Sequence, residues 1–406
     1  MELVRNAFYA VPGGSFFLPE FLGGFMAFLV LADGTVFEGK SIGASGLAIG
    51  ETVFTTGITG YMETLTDPSY YGQIIVQTFP LIGNYGFIQG DFESSKIWAS
   101  GYVVREMCDL PSNFRSTGTL DSFLKSQNIV GICGIDTRAL TKKLRESGVM
   151  NGMIISSENK PEITESVMEK IRAYKIENAV ETVSLKNPGG KKSVKDYPDL
   201  NKKIRRLERK AKIVLWDFGA KANIYRELEK RGAQIIEVPF SATAEQILSL
   251  NPDGLMLSNG PGDPGENRGV INEIKKICGM NREKKISLPV FGICLGHQML
   301  ALARGARTSK LKYGHRGANH PVKDLQTGRI YISSQNHGYA VEKDSLPACA
   351  RLSFVSTNDG TCEGISYDDI PAFSVQFHPE ACGGPHDTNF LFDKFITLIQ
   401  ESQKCL

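Results

Sequence analysis

The sequence of 406 residues lacks the features that mark several special classes of protein. It has no uninterrupted apolar run of the roughly 18 residues that a membrane-spanning helix needs. The net charge is only +2, from 46 basic and 44 acidic residues, so the composition gives no reason to expect nucleic acid or an anionic membrane as a partner. The eight cysteines include no C-x-x-C pair, which argues against a disulfide framework or a zinc knuckle. These absences predict a reduced, cytoplasmic protein.

The N-terminal region is the one place where a targeting segment has to be considered. The apolar stretch 16–32 is interrupted by a proline, a glutamate and two glycines, and a single arginine precedes it, so a signal peptide is the weaker interpretation. Residues 28–31 instead predict a first strand, followed by a hairpin turn at Asp33-Gly34. Residues 1–25 are then an appendage, and Met26 is an alternative start of the chain.

A basic stretch divides the rest of the chain into two domains. Residues 186–211 are rich in lysine and arginine and poor in acids, and they open with Asn187-Pro188-Gly189-Gly190. Because the stretch lies between two regions with regular patterns, we interpret it as a solvated linker rather than a phosphate-binding tail. The predicted domains are therefore 26–185 and 212–402.

The C-terminal domain alternates short apolar strands with amphipathic helices. The predicted strands are 212–218, 234–239, 254–258, 288–293, 329–333, 352–356 and 372–377, and the predicted helices are 224–231, 270–277 and 388–400. Such alternation predicts a doubly wound, mostly parallel α/β sheet. The last three strands follow one another with little helix between them, so the sheet is expected to acquire antiparallel members. The N-terminal domain is strand-rich to about residue 90 and more helical over 120–146 and 163–175, which predicts a separate mixed α/β domain.

The strongest chemical signal is the segment Gly292-Ile-Cys-Leu-Gly296, which lies between an apolar strand and a helix pattern. This is the nucleophile elbow, with cysteine in place of the usual serine. Glycines two residues before and after Cys294 allow the tight turn, and the helix N-terminus stabilises a thiolate. A buried structural cysteine beside packing glycines is the alternative interpretation of the same segment.

A cysteine nucleophile needs a base, and His378-Pro379-Glu380 directly after a predicted strand offers one. A carboxylate at Glu380 would bind one ring nitrogen of His378 and leave the other nitrogen to accept the thiol proton. Two polar loops follow other strands, Ser258–Pro264 and Gln335–Tyr339. The first loop carries Gly260 and Gly262, which can expose N–H groups to an oxyanion, although each loop is also compatible with an ordinary turn.

Together these four segments resemble the class I, triad-type glutamine amidotransferases. Within that class, the N-terminal half is similar to the small subunits of carbamoyl-phosphate synthase. The motifs that carry this likeness are Gly57–Tyr70, Gly72-Gln73, Pro80–Gly86, Ser112–Arg115 and Gly134–Arg138. The likeness extends over about residues 27–400, nearly the whole chain.

The resemblance implies a set of site residues. Cys294 would be the nucleophile, His378 the base and Glu380 its orienting partner, with N–H groups of Gly262 and Leu295 forming the oxyanion hole. The residues implied to hold substrate L-glutamine are Gly57, Gly260, Gly262, Leu295, Gln298, Asn336, Gly338 and Tyr339. Some relatives carry serine at Gly57 and phenylalanine at Tyr339, so these positions depart from the pattern. Cys382, close behind the triad, is an extra thiol without an implied role.

The resemblance also implies a division of labour. Glutamine is hydrolysed here through a thioester, and ammonia passes to a large synthetase subunit that binds ATP, magnesium and bicarbonate and makes carbamoyl phosphate for arginine or pyrimidine synthesis. Accordingly no cofactor or metal is expected in this chain, and it has no G-x-x-x-x-G-K-[ST] loop. Two alternatives stay open, namely a catalytically silent scaffold subunit and a free-standing cysteine hydrolase of another γ-glutamyl compound.

Overall fold

The computed structural model describes residues 25–186 and 211–404, which form two packed units. The predicted appendage 1–25 and linker 186–211 lie outside the described residues except at their edges. Within the two described ranges, no helix is both long enough and apolar enough to cross a membrane.

The N-terminal unit is built around a closed barrel of seven strands, in the order β1-β2-β8-β6-β4-β3-β9. The strands of this unit are β1 (Met26–Leu31), β2 (Val36–Gly43), β3 (Leu47–Thr55), β4 (Gln73–Gln77), β5 (Leu81–Ile82), β6 (Gly101–Val103), β7 (Glu106–Met107), β8 (Val130–Cys133) and β9 (Met150–Ser157). The helices are α1 (Tyr61–Thr66), α2 (Leu120–Ser126), α3 (Thr137–Ser147), α4 (Glu165–Ala173) and α5 (Ala179–Val183). β1 pairs with both β2 and β9, which closes the barrel, while β5 and β7 form a small separate sheet.

Most of the expected N-terminal elements are present. The hairpin predicted at Asp33-Gly34 joins β1 to β2, and Gly34 has a φ of 86°, which glycine adopts without strain. The region 120–146 contains α2 and α3, but the buried strand β8 lies between them and was not anticipated. A four-residue apolar run is too short for its periodicity to distinguish a strand from a helix.

The C-terminal unit contains one sheet of nine strands, in the order β11-β10-β12-β13-β18-β17-β16-β14-β15. Its strands are β10 (Lys212–Asp217), β11 (Gln234–Pro239), β12 (Gly254–Leu257), β13 (Val290–Ile293), β14 (Thr308–Asp324), β15 (Ile330–Val341), β16 (Ala350–Ser356), β17 (Cys362–Tyr367) and β18 (Ala372–Val375). The first five strands in the sheet order pair in parallel, and the other four are joined by antiparallel pairs. The predicted α/β sheet with antiparallel additions is thus confirmed.

Helices cover both faces of the parallel part of this sheet. They are α6 (Ala222–Lys230), α7 (Ala244–Ser249), α8 (Arg268–Arg282), α9 (Leu295–Ala303) and α10 (Phe390–Lys404). Apolar side chains of α6 and α10, such as Leu228 and Phe395, pack on one face, whereas those of α7, α8 and α9, such as Ile274 and Met299, pack on the other. Burial on both faces explains why these parallel strands are continuous apolar runs in the sequence.

The long strand β14 was not predicted, because its seventeen residues are mostly polar and only partly buried. Its pairing with β15 shifts register twice, and Gly314 and Gly317 lie at these irregularities with φ values of 71° and 146°. β14 also reaches the barrel, since the Thr56 N–H donates to the Arg316 carbonyl at 3.1 Å and the Val149 N–H donates to the Lys312 carbonyl at 2.9 Å. The barrel therefore packs against the sheet edge at which β12, β13 and β18 end.

Candidate active site

Cys294 lies in a strained turn between β13 and α9. Its backbone has φ 52° and ψ −105°, a conformation that a non-glycine residue rarely adopts, and the residue is 2% exposed. A Cβ atom at Gly296 would lie 2.4 Å from the Leu257 carbonyl oxygen, and one at Gly292 would lie 2.9 Å from the Gly296 backbone. Both glycines are thus required by close backbone approach, as the elbow motif predicts.

His378 and Glu380 meet directly behind this turn. Nδ1 of His378 lies 2.7 Å from Oε1 of Glu380, and both side chains are almost completely buried. Nε2 of His378 is buried without a hydrogen bond to the described residues, but it is near enough to Cys294 for the sulfur to affect the pKa of the ring. Burial lowers the pKa of His378, whereas the Glu380 carboxylate and the Cys294 sulfur raise it, and the net result is a pKa of about 10.

A buried lysine, Lys221, anchors the carboxylate of this pair. Its Nζ lies 3.1 Å from Oε1 of Glu380 and 3.9 Å from Oδ2 of Asp67, which belongs to the N-terminal unit. Burial tends to raise the pKa of Glu380, but Lys221 and His378 lower it to about 2. Glu380 is therefore ionised at any physiological pH, and the N-terminal unit supplies part of the charge around it.

Replacing Lys221 with methionine is expected to destabilise the protein strongly. The change would leave the carboxylates of Glu380 and Asp67 buried without their shared cation, and breaking such buried pairs costs about 3–5 kcal/mol. Lys230→Met is the matched control, because Lys230 is half exposed and its pair with Glu227 at 2.8 Å is of the kind that contributes about 0–1 kcal/mol. Urea unfolding of both variants would measure the difference, and equal midpoints would contradict the importance of the Lys221 pairs.

The Cys294 thiol opens into a cavity of about 420 Å³ at the junction of the two units. This volume is within the range of small-molecule sites, roughly 300–1,000 Å³. Six of the predicted glutamine-binding residues line the cavity, namely Gly260, Gly262, Gln298, Asn336, Gly338 and Tyr339. The N-terminal unit contributes further lining residues, including Glu51 and Gln73.

The polar side chains of this cavity are held in fixed orientations. Nε2 of Gln298 donates to the Tyr339 carbonyl at 2.7 Å and to Oε1 of Gln376 at 2.8 Å, so only the amide oxygen of Gln298 is left for a ligand. Nδ2 of Asn336 donates to Oδ2 of Asp67 at 3.0 Å. The backbone carbonyl of Asn336 accepts a hydrogen bond from the Cys294 thiol at 3.7 Å. The site is therefore preorganised by contacts that cross the domain boundary.

One predicted oxyanion donor lines the same cavity as the thiol, and the other directly follows Cys294 in the chain. Gly262 has a φ of 86° and lines the cavity. Leu295 is the first residue of α9, so its N–H is one of the helix amides that have no partner within the helix. The N–H of Gly296 is not free to bind an oxyanion, because it donates to the Ser258 carbonyl at 3.0 Å.

Gly57 does not line the cavity into which the Cys294 thiol opens. It lines a second, smaller cavity of about 80 Å³, together with His378, Lys221 and Cys382, and Asn336 lines both cavities. Nδ2 of Asn223 donates to the Cys382 sulfur at 2.8 Å. Burial and the nearby Glu93 and Glu63 carboxylates raise the pKa of the Cys382 thiol, which disfavours its thiolate form.

One group of side chains has the composition of a metal site. Ligand atoms of His315, His337 and Glu363 lie within 4.8 Å of one another in the described part of the chain. Both nitrogens of His315 lie within hydrogen-bond distance of Gln335 and Asp359, and those of His337 within such distance of Gln335 and the Tyr339 carbonyl. The group thus forms a hydrogen-bonded support for Gln335–Tyr339. The prediction that this segment is a loop is wrong, because it lies within the long strand β15 and pairs with β14.

Sequence reasoning missed Lys221, Asp67 and Gln376. Lys221 follows the predicted strand 212–218, so its place after a strand of the parallel sheet was a signal that could have been used. Asp67 gave no such signal, because only the packing of the two units brings it next to Asn336. Gln376 was treated as part of a strand, whereas β18 ends at Val375.

A cysteine in a strained strand-to-helix turn, a histidine–carboxylate pair behind it and a cavity at the carboxyl edge of the sheet are the features of the class I glutamine amidotransferases. The family described as "Glutamine amidotransferase class-I" matches residues 214–398, which span this sheet.

The N-terminal unit defines the family more closely. The family described as "Carbamoyl-phosphate synthase small chain, CPSase domain" matches residues 29–154. The chain is 48% identical to the carbamoyl phosphate synthase small chain of Bacillus cereus over 377 residues, which cover 93% of this chain and 96% of the relative. It is 49% identical to that of Fusobacterium nucleatum, with 93% and 99% coverage, and 46% identical to that of Symbiobacterium thermophilum, with 92% and 98% coverage. The chain belongs to the carbamoyl phosphate synthase small chain family.

Proposed function

We propose that this chain is the glutaminase subunit of a carbamoyl phosphate synthase. The observation that carries the proposal is the geometry of the strained Cys294 turn, with the His378–Glu380 pair behind it and a cavity of amino-acid size in front, in a member of this family. The chain hydrolyses L-glutamine and delivers ammonia to a large synthetase subunit. That subunit handles ATP, magnesium and bicarbonate, and this chain itself needs no cofactor or metal.

In the proposed mechanism, His378 and Cys294 act as an imidazolium–thiolate pair. The thiolate attacks the side-chain amide carbon of glutamine, and the N–H groups of Gly262 and Leu295 stabilise the oxyanion that forms. His378 donates its Nε2 proton to the leaving nitrogen, so that ammonia departs and a γ-glutamyl thioester remains. Water, deprotonated by His378, then attacks the thioester and releases glutamate and the thiolate. Glu380 keeps the ring oriented through Nδ1 in both halves of the reaction.

We propose that ammonia leaves the site through the second cavity. It shares Asn336 with the glutamine cavity and reaches His378, the group that protonates the leaving nitrogen. Its walls come from both units, including Gly60 of the N-terminal unit and Gly383 behind the triad. Ammonia that left on this side would avoid the mouth through which glutamine enters. Protection matters because protonation to ammonium removes the lone pair that the synthetase reaction uses.

Each of the two alternative functions leaves a main feature of the structure unexplained. A silent scaffold would have no need for a strained Cys294 turn at a cavity with the buried His378–Glu380 pair near it. A free-standing hydrolase would have no need for a barrel domain of the carbamoyl phosphate synthase type. Both alternatives predict that a large synthetase subunit has no effect on glutamine hydrolysis.

Glutamate release by the purified chain is expected to be slow and to accelerate when a large synthetase subunit is added. Contacts with the partner would be transmitted through Asp67, which touches both Lys221 and Asn336, and couplings of this kind change rates or affinities by about 5- to 150-fold. The measurement is the glutamine turnover of the full chain at saturating glutamine, with and without the partner. Equal rates in the two states would contradict the coupling.

A further inference from the structure

Arg316 is a buried cation in the wall of the glutamine cavity. It lies on β14 directly opposite Asn336 of β15, and it is 4% exposed. Its Nη1 donates to the Tyr313 carbonyl at 2.7 Å. The guanidinium therefore has a fixed position at the edge of the site, beside the part of β15 that carries Asn336, Gly338 and Tyr339.

The charge of Arg316 is not balanced by a carboxylate within ion-pair distance in the described residues. Its Nε is buried and has no hydrogen-bond partner there. The other cations of the cavity differ, because Lys310 is ion-paired with Glu51 and Lys175 is exposed at the rim. Burial lowers the pKa of Arg316, yet a guanidinium stays protonated in proteins, so a desolvated positive charge remains. Burying such a charge is unfavourable unless an anion joins it.

The surroundings of Arg316 indicate which anion would join it. A Cβ atom on Gly338 would lie 3.3 Å from Nη2, so the guanidinium approaches the backbone that the family resemblance assigns to glutamine. The Cys294 sulfur is close enough to influence the pKa of Arg316. The acidic residues Asp263 and Glu266 line the same cavity. A zwitterionic amino acid matches a site with charges of both signs, with its carboxylate toward the arginine and its ammonium group toward the acids.

We propose that Arg316 determines substrate specificity by binding the α-carboxylate of glutamine. The inference rests on the proposed glutaminase function and adds a residue to it. The guanidinium can present two parallel N–H donors to a carboxylate, a geometry that a lysine does not reproduce. This contact orients the substrate, so that the side-chain amide at the other end reaches Cys294.

The test compares two substrates in the full chain. L-Glutamine carries the α-carboxylate, whereas 4-aminobutanamide is the same molecule without it. Arg316→Gln is expected to lower kcat/KM for glutamine by on the order of 100-fold, because truncating one partner of a buried charge pair has effects of this size. Most of the loss is expected in KM, since the carboxylate is held equally before and during the reaction. The affinity for 4-aminobutanamide, measured by turnover or by competitive inhibition, is expected to stay as in the wild type.

Two further variants separate carboxylate binding from other effects. Arg316→Lys keeps the charge and is expected to recover part of the preference for glutamine. Lys310→Gln removes another cation of the cavity, one already paired with Glu51, and is expected to leave the ratio between the two substrates as in the wild type. If Arg316→Gln weakens both substrates equally, the residue has a structural role and the inference is wrong. If the wild type hydrolyses no glutamine, either alone or with the large subunit, the proposed glutaminase function is wrong. That outcome differs from equal weakening of both substrates, which contradicts only the role of Arg316.

Discussion

Replacing Cys294 with serine is expected to stop the synthesis of carbamoyl phosphate from glutamine without stopping its synthesis from added ammonia by the same complex. The hydroxyl of serine is a far weaker nucleophile than the thiolate that His378 stabilises, so glutamine-dependent activity should fall by on the order of 10⁴-fold or more. Ammonia enters the reaction after the step that Cys294 performs, so its use does not depend on the thiol. The measurement is carbamoyl phosphate formation by the assembled complex with each nitrogen source.

Cys349→Ser is the matched control for this experiment. Cys349 is half-buried and lies away from both cavities, and its sulfur accepts a hydrogen bond from Arg304 at 3.0 Å that a hydroxyl can also accept. This variant should keep both activities. If Cys294→Ser lost ammonia-dependent synthesis to the same degree while the complex remained assembled, the proposed division of labour between the subunits would be wrong.

Replacing Glu380 with glutamine is expected to lower glutamine hydrolysis by about 10³- to 10⁴-fold, the size of effect seen when a triad carboxylate becomes an amide. An amide can donate a hydrogen bond to Nδ1 of His378 and thereby stabilise the wrong tautomer of the ring. The same change removes the carboxylate that raises the pKa of His378, while burial and the Lys221 ammonium continue to lower it. The imidazolium–thiolate pair would therefore be weakened in addition to being misoriented.

The pH dependence of the Glu380 variant gives an independent readout. In the wild type, His378 has a raised pKa of about 10, so the imidazolium is present at neutral pH and is lost as the pH rises through that value. Activity should then decline on the alkaline side, and in Glu380→Gln this decline should begin at lower pH. Glu380→Asp, which keeps the charge, should retain more of the wild-type profile. An alkaline limit that is the same in wild type and Glu380→Gln would contradict the role of this carboxylate.

The sequence determined much of the fold because the parallel strands are buried on both faces. β10, β11 and β12 appear as apolar runs that end at glycine, proline or polar residues, and their limits were predicted to within a residue. β14 could not be predicted in the same way. Its residues are polar and partly exposed, and its irregular pairing with β15 depends on glycine conformations that a sequence pattern does not specify.

In the candidate site as well, local sequence was sufficient to predict some residues and insufficient for others. Cys294 is marked by its two flanking glycines, and His378 and Glu380 by their place after a strand, so local sequence was sufficient to select these residues. Gly57 shows the limit of this reasoning, since its motif did not indicate which cavity the residue lines, and the structure places it in the second cavity, which shares Asn336 with the first. Nothing in the local sequence distinguishes the walls of two adjacent cavities.

The sequence by itself selected the candidate nucleophile, its candidate base and the parallel sheet that presents them, because each depends on backbone geometry and burial within a few residues of the chain. Only the tertiary structure decided that Asp67 from the barrel reaches Lys221 and Asn336. It also decided that Arg316 is buried beside the cavity with no carboxylate of the described residues within ion-pair distance. These contacts join residues far apart in the chain. Their energies arise from the removal of water where the two domains meet, and a linear pattern does not record which charges are desolvated together.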